Sequence, residues 1–151
     1  MTLSEKVTTE MKAAMKSGDK PRLETLRMLR AQILEFEKRG LNRAMNEEDE
    51  LSILLTASKK RKEAIEMYQQ AHRQDLVDKE TKELEIISEY LPKQISADEA
   101  AVVIEKIIAQ AGVMSVKDLG KVMPLAMKEL KGKIDSKAIN EIVRSKLSQQ
   151  T

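Results

Sequence analysis

Ser115-Val-Lys-Asp-Leu-Gly-Lys-Val-Met-Pro-Leu-Ala-Met-Lys-Glu-Leu-Lys-Gly-Lys-Ile-Asp135 repeats its apolar residues with the period of an α-helix. Leu119, Val122, Met123, Ala126, Met127 and Leu130 follow the i, i+3, i+4, i+7 rule. At about 100° per residue they share an arc of about 140°. Lys117, Lys121 and Lys128 fall together about 180° from the centre of that arc. One face is built for burial and the other carries ammonium groups only. Lys131 and Lys133 flank Gly132, where the helix should end. Two readings of the lysine row stay open. It is a solvated face, because burying charge is costly, or it is an electrostatic footprint for a polyanion, RNA above all.

The helical period extends outward over the whole chain. The sequence has 151 residues with 41% hydrophobic and 34% charged, which is a globular rather than a disordered composition. With five Gly and three Pro there are few breakers, so the expected fold class is all-α and multihelical. The first helix is expected from Leu3 to Lys16, with Thr2 and Glu5 as a capping box and Gly18 as the stop. Leu3, Val7, Met11, Ala14 and Met15 form its apolar stripe. A second runs from Pro21 to Arg39, capped by Asp19, with Arg30 inside its apolar face and Arg27 at the margin. These two arginines are expected to snorkel or to pair with a carboxylate of a neighbouring helix.

Asn46 caps a third helix reaching Ala71, with Leu51, Leu54, Leu55, Ile65 and Tyr68 turned inward. Its Lys59-Lys60-Arg61-Lys62 run resembles a nucleic-acid patch. On a helix, however, the four side chains diverge by about 100° each and make a solvated surface. A fourth helix covers Arg73 to Tyr90, with Val77, Leu84, Ile87 and Leu91 buried, and Pro92 closes it. Ser96 and Glu99 then form a capping box. Three further helices are expected over Ala97–Ala111, Val116–Leu130 and Ser136–Leu147. Pro124 should remove one hydrogen bond from the middle one and bend it near Gly120. The organisation read from this is a four-helix N-terminal domain, residues 1–92, followed by a three-helix C-terminal domain, residues 93–151.

The net charge of +2 hides an asymmetry. Residues 1–92 hold 17 Lys/Arg against 18 Asp/Glu, whereas residues from Ser115 onward hold 8 against 4. Catalytic chemistry finds little material. There is one histidine, His72, expected as an exposed junction residue, and there is no cysteine. No Gly-rich phosphate loop follows a strand, and no hydrolase or zinc-protease motif is present. No catalytic residue, cofactor or metal site is therefore assigned. No apolar run reaches the roughly 18 residues of a membrane span, and the first residues lack a signal-peptide core, which together give a cytoplasmic expectation. Phe36, Tyr68 and Tyr90 are the only aromatics. With so few stacking platforms, an RNA partner would be a folded one held through backbone and shape.

Three blocks carry a family resemblance: Leu26-Arg-Met-Leu-Arg-Ala; Arg73-Gln-Asp-Leu-Val-Asp with Glu89-Tyr-Leu-Pro-Lys-Gln-Ile-Ser96; and Asp118-Leu-Gly-Lys-Val-Met123 with Lys131-Gly-Lys. The chain resembles the GatB/YqeY family over essentially its whole length. The resemblance implies an all-helical protein whose C-terminal domain is similar to the tail of the B subunit of the glutamine-dependent tRNA amidotransferase. That tail helps hold the tRNA body while mischarged tRNA is amidated. Relatives of this kind are associated with carbon–nitrogen ligase activity with glutamine as amido-N donor, but this sequence lacks the amidase and kinase-like parts. The resemblance therefore implies a tRNA-binding accessory protein in translation, with an amidotransferase or tRNA synthetase as partner. It carries the RNA-binding role to Lys117, Lys121, Lys128, Lys131 and Lys133. Two departures stand out: Pro124 replaces a favoured glycine, and Lys131-Gly-Lys-Ile-Asp-Ser136 lacks an arginine, hence a bidentate phosphate fork. The alternative is a methionine-rich helical scaffold that binds proteins and not RNA.

Overall fold

The architecture was obtained as a computed structural model that describes residues 1–40, 42–112 and 115–149. Among the described residues there are seven α-helices, one 3-10 turn and no strand. They are α1 (Leu3–Ser17), α2 (Lys20–Glu37), α3 (Glu47–Gln70), α4 (Gln74–Ser88), α5 (Ala97–Ala111), α6 (Leu119–Leu130) and α7 (Ser136–Ser148), with the 3-10 turn at Val116–Asp118. The chain divides into two compact units, Met1–Leu91 and Pro92–Thr151.

In the first unit, local chemistry sets the helix ends. Thr2 Oγ1 accepts from Glu5 N at 3.2 Å while the Glu5 carboxylate accepts from Thr2 N at 2.8 Å. The bond from the Thr2 backbone first, and then the Thr2 hydroxyl, hold the Glu5 carboxyl below its ordinary range. Asn46 and Asp49 close the same reciprocal box on α3. Gly18 ends α1 with φ 74°, a left-handed turn that costs other residues a Cβ clash. The core joins Leu3 and Val7 of α1, Leu26, Leu29 and Ile33 of α2, Ile53, Leu54 and Ala57 of α3, and Ile86 and Ile87 of α4.

Several expectations need correction here. Met15 is 59% exposed, because α1 turns only Leu3, Val7 and Ala14 fully inward. On α3 the fully buried apolar residues are Ile53, Leu54 and Ala57; Leu51, Leu55, Ile65 and Tyr68 are half-buried. On α4, Ile86 joins Val77 and Ile87 in the interior while Leu84 is half-buried, as is Leu91 beyond the helix end at Ser88. Arg27 and Arg30 are both exposed. The buried stripe of α2 includes Thr25, which rotates its centre away from Arg30 and towards Arg22.

Arg22 makes the interhelical pairs instead, 2.5 Å to Glu10 on α1 and 2.7 Å to Glu89 at the end of α4. The Glu89 hydrogen bond leads in pushing its guanidinium pKa further up. The Tyr90 hydroxyl also donates to Glu10. Burial first, and then that bond, hold its phenol in the neutral form well above the ordinary tyrosine range.

The second unit packs α5, α6 and α7 around Ala100, Ile104, Ile107 and Ile108 of α5, Val122, Ala126 and Leu130 of α6, and Ile139, Val143 and Leu147 of α7. Ser96 and Glu99 form the α5 capping box, and Gly112 ends that helix with φ 67°. Lys146 of α7 reaches Glu105 of α5 at 2.6 Å.

Candidate nucleic-acid interface

Ser115 starts the lysine-bearing segment by accepting Lys117 N on its hydroxyl at 3.3 Å. Val116–Asp118 then forms a 3-10 turn before α6 begins at Leu119. The change in helical geometry thus falls at Asp118–Leu119. Lys117 stands on the tighter turn, where each residue advances about 120° rather than 100°. Its direction is therefore not the one that the continuous helical wheel assigns. Pro124 sits inside α6, which runs through it from Leu119 to Leu130. Its missing N–H withholds a donor from the carbonyl of Gly120, an exposed residue in the first turn.

The apolar arc behaves as its spacing requires. Val122, Ala126 and Leu130 recur every four residues and are fully buried, and Leu119, Met123 and Met127 pack half-buried beside them. Lys117, Lys121, Lys128 and Lys131 are exposed, and Lys133 is half-buried. Lys121, 77% exposed, has Asp118 Oδ1 at 3.9 Å, a long and solvated pair. Among the described residues no ion pair engages Lys117, Lys128, Lys131 or Lys133.

The turn after α6 is tightly built. Lys131 N donates to Met127 O and Lys133 N to Leu130 O, each at 2.9 Å. Between them Gly132 is buried with φ 83°, a conformation that suits glycine. Two bonds arrive from far back in the chain: Ile95 N to Lys133 O at 2.9 Å, and Gln94 Nε2 to Gly132 O at 2.6 Å. Asp135 then caps α7 by accepting from Lys137 N at 3.2 Å. Sequence reasoning missed the role of Gln94, since no local pattern announces a partner 38 residues away.

The other candidates are dispersed. Lys59, Lys60 and Lys62 are exposed, whereas Arg61 is half-buried against α4, 3.1 Å from Glu83 and 3.8 Å from Glu80. Burial, then the neighbouring Glu83 charge, pushes the Glu80 carboxyl up. His72 is exposed at the α3–α4 junction with φ 55°. Among the described residues no group of His, Cys, Asp and Glu could hold a metal ion. Among them, too, no helix is long and apolar enough to cross a membrane.

An all-helical protein with a cationic helix face on its second unit is the class that fold and geometry define. The chain belongs to the YqeY family: the family model described as Yqey-like protein matches residues 4–147. It is similar to the Pyrenophora tritici-repentis protein named "Altered inheritance of mitochondria protein 41, mitochondrial", 29% identical over 93% of this chain and 81% of the relative. It is also similar to a Schizosaccharomyces pombe protein described as uncharacterized, 32% identical over 55% of this chain and 67% of that one.

Proposed function

We propose that this YqeY-family protein is a tRNA-binding accessory protein, in which residues 93–151 form a domain like the amidotransferase B-subunit tail and residues 1–92 form a separate one. The observation that carries the reading is the α6 face. Lys121 and Lys128 are exposed across from the buried Val122–Ala126–Leu130 row, with the exposed Lys117 on the 3-10 turn before α6 and Lys131 and Lys133 at the turn that follows. A polyanion gains from such a face by releasing condensed counterions, and about three engaged lysines give a log–log salt slope of about −2 to −3.

The protein supplies positioning and no bond chemistry of its own; amidation or aminoacylation belongs to an amidotransferase or synthetase partner. Purified chain with mischarged tRNA, glutamine and ATP yields no product. The proposed location is the cytoplasm; the mitochondrial label belongs to the Pyrenophora relative's name. The decisive test replaces Lys117, Lys121 and Lys128 together with Glu and measures retention of bulk tRNA in a gel shift. Loss of retention is expected, and a triple variant that binds as well as the parent overturns the proposal.

A second reading, a protein-binding scaffold, draws on apolar side chains left in water on the first unit: Met15 at 59%, Met67 at 66% and Leu34 at 44% exposure. Unbranched methionine adapts to several partner surfaces. Partner recovery that survives nuclease and is lost on Met15→Glu with Met67→Glu favours it over RNA binding.

A further inference from the structure

The Pro92-Lys-Gln-Ile-Ser96 strap precedes α5, yet its hydrogen bonds run to the turn after α6. Gln94 Nε2 donates to Gly132 O at 2.6 Å and to Pro92 O at 2.8 Å, which pins the strap's own backbone as well as the turn. Ile95 N donates to Lys133 O at 2.9 Å, and the Ile95 side chain packs half-buried against the core of the second unit. Lys93 lies one residue before the first of these anchors and is exposed. Among the described residues it has no ion pair. Successive Cα atoms are about 3.8 Å apart, and hydrogen-bonded backbones lie about 5 Å apart. Ile95 is hydrogen-bonded to Lys133 and Lys93 lies two residues before it, so the Lys93 backbone is within about 12 Å of the Lys131–Lys133 turn, a span that the flexible four-carbon stem of lysine narrows. At the starts of α5 and α7, Glu99 is held by Ser96 and Asp135 accepts from Lys137 N, while Asp98 in the first turn of α5 is exposed.

From this juxtaposition we infer that Lys93 is a further phosphate-contacting residue of the same surface, brought to it by the Gln94 and Ile95 bonds. The inference rests on the tRNA-binding proposal and extends it. The cationic surface is then assembled from two segments distant in sequence, and one of them is the strap that opens the second unit. A phosphate chain that crosses Lys131 and Lys133 meets Lys93 before it leaves the turn. The strap is fastened before any ligand arrives, so the ordering cost when Lys93 engages is that of its side chain and little of its backbone.

The test uses the full chain and bulk tRNA across 50–200 mM salt, with four proteins: the parent, Lys93→Ala, Lys12→Ala as a charge-matched control, and the Lys117/Lys121/Lys128→Glu triple variant. Lys93→Ala should make the log–log slope shallower by about 0.7–0.9, one phosphate contact. The parent's affinity advantage over it then shrinks about threefold over that salt range. Lys12→Ala should match the parent in slope and affinity, and melting temperatures should agree because Lys93 and Lys12 are exposed. If the triple variant loses binding while Lys93→Ala keeps the parental slope, the Lys93 inference falls alone. If Lys12→Ala shifts the slope as much as Lys93→Ala, the effect is general charge and the inference also falls. A parent that retains no tRNA overturns both the inference and the function it extends.

Discussion

The two units use their cations differently. In Met1–Leu91 the partly buried guanidiniums join helices: Arg22 ties α2 to Glu10 and Glu89, and Arg61 ties α3 to Glu80 and Glu83. Among the described residues of Pro92–Thr151, the pair of Lys146 with Glu105 does comparable work between helices. The lysines of α6 and its turn are instead exposed, apart from the half-buried Lys133, and among the described residues their ion pair is the 3.9 Å approach of Asp118 to Lys121. Arginine in a planar fork suits bidentate pairing inside a protein, and lysine suits a solvated point charge that meets phosphate. Charge content alone therefore says little about a binding surface. What matters is whether each cation is already partnered by its own fold.

The largest effect expected on this contrast comes from the packing beneath the lysines. Leu130 is 1% exposed under the α6–turn junction. Leu130→Ala should destabilise the second unit by about 2–5 kcal/mol through the lost burial and the cavity left behind. Calorimetry of the full chain should show that loss in one transition and leave the transition of residues 1–92 in place. A single transition that moves as a whole would show that the proposed domains unfold together.

Breaking the other side of the comparison costs less. Arg22→Met should cost about 1 kcal/mol, because Glu10 and Glu89 are 39% and 55% exposed and water screens both pairs. Binding of tRNA should not change. Its neighbour Tyr90 adds a pH signature. Its folded-state phenol pKa is raised, so its contribution is complete below about pH 10 and is lost as pH rises beyond that. Alkaline denaturation should therefore be shallower in Tyr90→Phe than in the parent, and equal curves would contradict the part-buried bond from Tyr90 to Glu10. Ser96→Ala removes the α5 cap, which accepts from Glu99 N at 3.1 Å, and should cost about 0.5–1 kcal/mol. Denaturant midpoints at constant slope measure it.

What the sequence disclosed follows the range of the interactions. The boxes at Thr2–Glu5, Asn46–Asp49 and Ser96–Glu99 span three residues each, so the chain spells them out locally. The α6 apolar arc was equally legible, since burial of Val122, Ala126 and Leu130 needs only the helical period. The choice between Arg22 and Arg30 was not. Periodicity sets the width of a stripe, but the packing of α1 and α4 sets its centre. The position of Lys117 was obscured because a 3-10 turn and an α-helix share the same short-range pattern. The Gln94–Gly132 bond was invisible because it joins two loops through the fold alone.

Lysine acetylation mapped by mass spectrometry, with and without saturating tRNA, addresses the central contrast directly. The account predicts protection at Lys117, Lys121, Lys128, Lys131 and Lys133, while the exposed Lys59, Lys60 and Lys62 of α3 react as before. Protection of the α3 lysines with the α6 row still reactive, or unchanged reactivity throughout, would contradict it.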